Sequence, residues 1–355
     1  MNVTRKGRGA ADNPDPRFAE WHREAVDDGW WHAEEDLAPP LPTTLIVDTA
    51  KSVISYNTSP DIPFDRSINP YRGCEHGCSY CFARPTHAYL GLSPGLDFET
   101  RLAYKPDAVT VLRKELAKPG YVCQPVALGI NTDAWQPVER KLRLTRGILE
   151  LLADCAHPVS IVTKSALILR DLDLLAGMAE KNLVRVAISI TTLDTDLARR
   201  LEPRAPSSQR RLLAIRELAA AGVPTAVLTA PLIPGLTDHE MEDILHAAAE
   251  AGASAAGYVL LRLPHEVKPL FRDWLERERP GRAEHVFSLL RQMHGGKEYD
   301  SRFGHRQRGA GPLAEILRQR FASATKRAGL QRASRDMDCS LFRPPLVETS
   351  QLALF

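Results

Sequence analysis

The sequence contains no uninterrupted apolar run of the roughly 18–20 residues that a membrane-spanning helix needs. Its opening residues, MNVTRKGRGAADNPDPRF, carry basic side chains with no apolar stretch behind them, a pattern that does not predict a secretory signal. We therefore expect a cytoplasmic protein with no membrane partner.

Cysteine is scarce as well, with six residues in a chain of 355, which is too few for a secreted disulfide scaffold. Cys123, Cys155 and Cys339 are isolated, whereas the other three lie together in the segment NPYRGCEHGCSYCFAR. In a reducing cytosol, such a tight cluster indicates metal binding or redox chemistry.

Net charge is low, at +2, but the basic residues are concentrated near the end of the chain. The segment from Ser301 to Arg335 has nine Lys or Arg residues and a single acidic residue, Glu315. Charge of this density predicts a polyanionic partner, which here means a nucleic acid. A solvated, arginine-rich helical surface explains the pattern equally well.

Short apolar runs alternate with amphipathic segments through the middle of the chain, which predicts strands and helices of an α/β fold with a parallel sheet. Six strands are too few for a closed eight-stranded barrel, so we predict an open, partial β/α barrel with strands buried on both faces and a helical C-terminal extension. We predict an N-terminal extension (1–64), the barrel (65–265), a helical basic region (266–335) and an extended tail (336–355). The predicted strands begin near residues 67, 125, 159, 184, 225 and 255, and the predicted helices span 107–117, 140–153, 169–181, 207–221, 238–251, 266–278, 282–294 and 312–326.

The clustered cysteines are Cys74, Cys78 and Cys81, with three residues and then two residues between them. Three thiolates suit soft metal sites, notably iron–sulfur clusters and zinc. A structural zinc site needs a fourth ligand, for which His76 and His87 are the nearby candidates. A cubane held by three cysteines instead leaves one iron open to a substrate.

This spacing, with an aromatic residue, Tyr80, just before the third cysteine, resembles the signature of the radical S-adenosylmethionine (SAM) superfamily. Together with GINTDAWQPVER, the motif resembles the branch related to spore photoproduct lyase. The resemblance implies a [4Fe–4S] cluster on the three cysteines, SAM as the second cofactor, and a one-electron reductant as partner. It implies reductive cleavage of SAM to a 5′-deoxyadenosyl radical, which abstracts hydrogen from DNA or another nucleic acid. A peptide or small-metabolite substrate, and a non-enzymatic metal module, stay open as alternatives.

Further candidate residues follow the predicted strands, where ligands of parallel α/β folds bind. By the resemblance they contact SAM or the substrate, and the alternative is an ordinary set of capped loops and surface ion pairs. They are Asn131, Thr132 and Asp133 after the second strand, Lys164 after the third, Ser189 and Thr191 at the fourth, Arg204 downstream, and Ile233 after the fifth.

Two further predictions concern isolated segments. In spore photoproduct lyase a cysteine some forty residues past the cluster donates a hydrogen atom, and Cys123 lies 42 residues past Cys81. A buried structural role is the alternative for a lone cysteine. The terminal QLALF resembles the peptide that repair proteins insert into the bacterial sliding clamp, with apolar anchors after a polar one: Gln351, Leu352, Leu354 and Phe355.

Overall fold

The computed structural model describes residues 7–19, 41–332 and 336–346. Within them the strands are β1 (Thr44–Val47), β2 (Ile54–Tyr56), β3 (Arg66–Ile68), β4 (Tyr71–Arg72), β5 (Arg101–Tyr104), β6 (Val126–Leu128), β7 (Val159–Thr163), β8 (Val184–Ser189), β9 (Thr225–Leu232), β10 (Ala255–Leu260) and β11 (Gln331–Arg332).

The helices of the same residues lie mostly between these strands. They are α1 (Asp97–Thr100), α2 (Ala108–Leu116), α3 (Glu139–Leu142), α4 (Leu144–Asp154), α5 (Leu172–Ala179), α6 (Thr195–Leu201), α7 (Ser208–Ala220), α8 (Met241–Glu250), α9 (Val267–Glu278), α10 (Ala283–Met293) and α11 (Pro312–Arg327). Among them, none combines the length and the apolar character that crossing a bilayer requires.

The larger sheet has eight strands in the order β2-β3-β6-β7-β8-β9-β10-β11. All neighbours pair in parallel except β2 and β3, which form an antiparallel edge. Each of the six predicted strands is present, and the predicted α/β fold with a mostly parallel sheet is confirmed.

The two faces of the sheet differ, which corrects the expectation that both are packed. On the outer face, side chains such as Ile161 and Val186 are fully buried in a core that also contains residues of α4, α7 and α8. On the inner face, small and half-buried residues such as Ser160, Ala187 and Ala226 line a cavity. The strand sequences therefore alternate between a packed face and a hollow one.

The last helices belong to this same packing. Leu317 and Ala324 of α11 lie in the main core, while Ile316, which the predicted helix pattern places on the same apolar face, is 51% exposed. Phe271 and Trp274 of α9 form a second core together with Cys78 and Tyr80. The C-terminal helices thus support the segment that contains the clustered cysteines.

A smaller sheet was not predicted. Its order is β1-β5-β4, with β5 parallel to β1 and antiparallel to β4. Because β4 ends at Arg72, this sheet fixes the point where the cysteine segment begins.

Candidate active site

The cysteine segment, residues 73–81, is a loop whose turns require glycine. Gly73 and Gly77 have φ values of 83° and 66°, a region that favours glycine. A Cβ at Gly77 would lie 2.7 Å from Oε2 of Glu99, so a larger residue there would clash. The Cys74 N–H donates to the carbonyl of Phe98 at 2.9 Å, which ties the loop to α1.

A fully buried ion pair supports this loop from beneath. The guanidinium of Arg84 lies 2.5 Å from Glu99, and it also donates to the carbonyl of Cys78 at 2.9 and 3.0 Å. Glu99 further accepts hydrogen bonds from the N–H groups of Gly9 and Ala10 at 3.0 and 2.9 Å. One carboxylate therefore connects the N-terminal segment, the cysteine loop and α1.

The three thiols fit a shared cluster. Cys74, Cys78 and Cys81 all line the same cavity, and burial raises the pKa of each thiol. Coordination to a metal deprotonates such thiols and satisfies them as thiolates. Among the described residues, no three His, Cys, Asp or Glu side chains are arranged to hold a single metal ion. Thiolates that bind different irons of a cubane need not converge on one point.

The two candidate zinc-ligand histidines have other partners. Nδ1 of His76 lies 3.5 Å from Oδ2 of Asp133, and burial lowers the pKa of His76. Nε2 of His87 lies 3.0 Å from the carbonyl of Arg101, in hydrogen-bond contact. The donor set that remains is the three thiols, which matches an iron–sulfur cluster better than a closed zinc site.

The cavity has a volume of about 1390 Å³ and follows the inner face of the sheet. The cysteines enter it at the carboxyl end of the strands. The predicted site residues that line it at this end are Tyr80, Asn131, Asp133, Lys164 and Ser189.

Asp133 is held rigidly at this end of the cavity. Its carboxylate accepts hydrogen bonds from the Thr163 hydroxyl at 2.7 and 2.9 Å and from the Lys164 N–H at 2.8 Å. It also accepts from the Trp135 N–H at 2.9 Å, so it caps the turn after β6 while facing the cavity. The turn and the binding interpretations of this residue are therefore compatible.

Lys164 belongs to a buried network beside the cysteines. Its Nζ lies 3.2 Å from Oε1 of Glu202 and 3.3 Å from the hydroxyl of Thr191, and it lies 5.7 Å from the ring centroid of Tyr80. Glu202 also contacts the Tyr80 hydroxyl and the guanidinium of Arg211. Burial alone would raise the pKa of Glu202, but Arg211 and Lys164 hold it well below its usual value.

Sequence reasoning missed Arg211, although it lies in the quoted run LEPRAPSSQRR. Its side chain is 2% exposed and donates to the carbonyl of Ser189 at 3.0 Å. The available signal is the run of arginines after Glu202, but nothing in the run distinguishes the buried arginine from its exposed neighbour, Arg210.

Other predicted residues lie near this network without lining the cavity. The Thr132 hydroxyl donates to the Tyr71 carbonyl at 2.8 Å, and Arg204 pairs with Glu75 at 3.1 Å. Ile233 is fully buried in the second core, and Thr191 contacts Lys164 from behind. These four residues shape the site through their neighbours, and their cofactor contacts stay predictions.

Cys123 precedes β6, so it lies at the amino end of the strands, opposite the cysteine loop. Its thiol contacts that of Cys339 and its pKa is raised to about 12, chiefly by burial. The structure does not bring it to the other three cysteines. Its role as a hydrogen donor stays a prediction.

The basic segment beginning at Ser301 is only partly a free surface. Arg302 pairs with Asp300 at 2.6 Å, and Arg320 pairs with Glu242 at 2.8 Å. Arg306, Arg308 and Arg318 instead line the cavity. Residues 333–335 of this segment, and the whole QLALF peptide, lie outside the described residues.

A family model described as the Radical SAM superfamily matches residues 68–248, more than half of the chain. An uncharacterized protein of Mycobacterium tuberculosis is 40% identical over 233 residues, 65% of this chain and 68% of that protein. An uncharacterized protein of Methanocaldococcus jannaschii is 30% identical over 173 residues, 49% of this chain and 62% of that protein.

Solved structures of spore photoproduct lyase have a similar fold. The structure complexed with dinucleoside spore photoproduct has a TM-score of 0.57 at 16% identity, over 81% of this chain and 80% of that one. A mutant with bound AdoMet and the same dinucleoside has a TM-score of 0.54 at 16% identity, over the same shares of the two chains. Identity this low shows the fold alone.

The family match spans the cysteine loop and five of the six predicted strands, and the cofactors of this family are a [4Fe–4S] cluster and SAM. The buried thiols at the carboxyl end of a parallel sheet provide what such a cluster requires. The chain therefore belongs to the radical SAM superfamily and is a radical SAM enzyme.

Proposed function

We propose that this radical SAM enzyme acts on a nucleic acid, in a reaction of the repair type. The observation that carries the proposal is the charge of the cavity that contains the cysteines. Six cationic side chains line it, against three carboxylates: Lys164, Arg185, Arg262, Arg306, Arg308 and Arg318, and Asp61, Asp65 and Asp133. Such a lining favours a substrate with phosphate groups over a neutral metabolite or peptide.

Arg262 is the cation best placed to meet a substrate. It follows β10 and stacks on the ring of Phe82 at 4.7 Å, and Phe82 directly follows Cys81. Nε of Arg262 is buried with no hydrogen-bond partner among the described residues. A buried donor without a partner costs free energy, which a bound phosphate or base would recover.

The likeness to spore photoproduct lyase supports the same substrate class. Two of the similar structures contain a dinucleoside spore photoproduct, and they share the fold of this chain over 81% of its length. A dinucleoside and SAM together need an elongated space beside the cluster. The cavity of about 1390 Å³ is large enough for both.

The proposal assigns separate tasks to the lining residues. When bound, the cluster supplies the electron that cleaves SAM into methionine and a 5′-deoxyadenosyl radical. Cys74, Cys78 and Cys81 would hold the cluster, and Lys164 offers a cation for the SAM carboxylate. Asn131 and Ser189 offer polar groups beside the same space, while Arg262 orients the substrate.

The experiment that tests this function is anaerobic reconstitution with iron and sulfide, followed by dithionite and SAM. We expect 5′-deoxyadenosine to form, and its yield to rise when ultraviolet-irradiated DNA is added. Unirradiated DNA and an unrelated peptide serve as controls. A yield that no DNA raises but a peptide does would transfer the proposal to the alternative substrate class.

Replacing Arg262 and Arg308 together by Gln should weaken binding of single-stranded DNA and flatten its salt dependence. Each lost phosphate contact reduces the slope of log K against log salt by about one unit, so we expect a change of roughly two units. Fluorescence anisotropy over a salt series measures this. Arg210→Gln with Arg216→Gln, on the exposed face of α7, removes the same charge and should leave the slope unchanged. Equal slopes in both double variants would contradict the proposal.

The link to replication rests on the tail alone. A peptide ending in QLALF is predicted to bind a bacterial sliding clamp with a micromolar Kd, about −8 kcal/mol. Replacing Leu354 and Phe355 by Ala in the peptide should abolish binding measured by calorimetry. Absence of binding at high micromolar concentration would remove this prediction and leave the enzyme activity untouched.

A further inference from the structure

The larger sheet does not close into a barrel by hydrogen bonds, since β2 lies at one edge and β11 at the other. Two loops face each other across this opening. Residues 57–65 connect β2 to β3 at the first edge. Residues 303–308 lie beside the second edge, where the Leu260 N–H of β10 donates to the Gln307 carbonyl at 2.8 Å. Both loops contribute to the cavity lining.

The two loops are joined through one carboxylate. Oδ2 of Asp61 lies 2.5 Å from Nε of Arg306, and Oδ1 accepts a hydrogen bond from the Gly304 N–H at 2.6 Å. Arg306 also donates to the Ser59 hydroxyl at 2.6 Å. The Asp61 side chain is 7% exposed and that of Arg306 is 19% exposed, so the contact is largely shielded from water.

The groups that hold Asp61 are those that bind phosphate oxygens in other proteins. A guanidinium and a backbone N–H converge on its two oxygens, which is the donor set used for phosphodiester recognition. Burial opposes ionisation of Asp61, but the Gly304 N–H and Arg306 hold its pKa below the usual value, and Arg262 adds to this. The carboxylate is therefore an anion between two arginines of the cavity.

We propose that Asp61 occupies, in the free enzyme, the place of a substrate phosphate and thereby keeps the side opening of the barrel closed. A nucleic-acid strand would displace the carboxylate from Arg306 and Gly304, and loop 57–65 would move away from loop 303–308. The inference rests on the proposed nucleic-acid substrate. It makes the Asp61–Arg306 contact, called the side latch below, a determinant of which molecules enter.

The latch makes a prediction of unusual sign. Removing an ion pair normally weakens a protein's interactions, but Asp61→Asn should strengthen nucleic-acid binding. The neutral amide no longer competes for Arg306, so a phosphate gains the guanidinium without displacing a charge. Arg306→Gln should weaken binding, because it removes the donor itself.

The test uses the reconstituted holoenzyme and a single-stranded oligonucleotide in an anisotropy titration. D61N is expected to bind about tenfold more tightly than wild type, with a salt slope steeper by roughly one unit. E242Q is the matched control, because it makes the same charge change at an ion pair with Arg320, which does not line the cavity. E242Q should bind within about twofold of wild type, since a distant surface charge is screened.

A second readout needs no nucleic acid. Opening the latch exposes the cluster, so 2,2′-bipyridine should extract iron from D61N several-fold faster than from E242Q. If D61N does not fold, S59A loosens the same contact by removing an acceptor from Arg306, and it should shift both readouts in the same direction.

The outcomes separate the two proposals. If wild type binds the oligonucleotide but D61N binds no more tightly than E242Q, the latch is overturned and the proposed substrate stands. If neither wild type nor D61N binds, the substrate proposal falls and the phosphate-substitute role falls with it. Faster iron loss with tighter binding supports both.

Discussion

Replacing Cys78 by Ala is expected to abolish cluster binding and SAM cleavage together. Wild type should retain about four irons per chain after anaerobic reconstitution, because three thiolates and one open site match a cubane. Without Cys78 one iron loses its protein ligand. The buried cavity offers no water-exposed substitute, since the residue is 7% exposed and lies in the second core. Iron content, brown colour and 5′-deoxyadenosine yield measure the effect.

Cys155→Ala is the matched control for this change. Cys155 is also buried, at 3% exposed, but it lies in the main core against the helices and does not line the cavity. The same atoms are removed, so any loss caused only by a smaller core side chain appears in both variants. We expect Cys155→Ala to keep its iron and its activity. One zinc per chain in wild type, with no iron uptake, would contradict the cluster assignment.

The strands that form the site were predictable because their sequence signal is local. Runs such as VSIVT and VRVAIS combine β-branched residues with flanking turns, and they appear as β7 and β8. What the runs do not reveal is the hollow inner face. Ala187 and Ala226 are apolar whether they face a helix or a cavity, so the pattern cannot distinguish the two surroundings.

Helix boundaries were less predictable where one residue changes the backbone. The helix predicted over 140–153 is divided into α3 and α4 at Arg143, which has a φ of 53°. A left-handed conformation is uncommon outside glycine, and arginine gives no warning of it. Tertiary contacts determine the break, because Glu139 of α3 accepts a hydrogen bond from the N–H of Thr145 at 3.2 Å, at the start of α4.

Contacts between distant segments were beyond the sequence. Strand β5 pairs with β1, and Thr44 faces Arg101 in that register. Both strands have four residues, too few for a periodic pattern to stand out. The side latch has the same character, since Asp61 and Arg306 are 245 positions apart. A sequence read without homologues contains no signal for such a pair.

Arg84 is the clearest case of a residue whose role only the structure shows. In the sequence it is one more basic residue after the cysteine motif. In the fold it is fully buried, paired with Glu99, and bonded to the carbonyls of Cys78, Pro94 and Gly95. Removing the guanidinium would leave the Glu99 carboxylate buried without its charge partner, and it would release the Cys78 carbonyl.

Arg84→Met, which keeps the apolar stem, is therefore expected to destabilise the protein by about 3–5 kcal/mol, the usual cost of removing one partner of a buried ion pair. Urea unfolding followed by circular dichroism measures this, and reconstituted iron content should fall in parallel because the loop around Cys78 loses its support. Arg199→Gln is the control, since its pair with Asp196 has a side chain 75% exposed and its loss should leave the urea midpoint unchanged. Glu99→Gln should cost less than Arg84→Met, because the amide leaves no unpaired charge and still accepts a hydrogen bond from Gly9 or Ala10. If Arg84→Met and Arg199→Gln unfold at the same urea concentration, the buried pair does not support the cysteine loop.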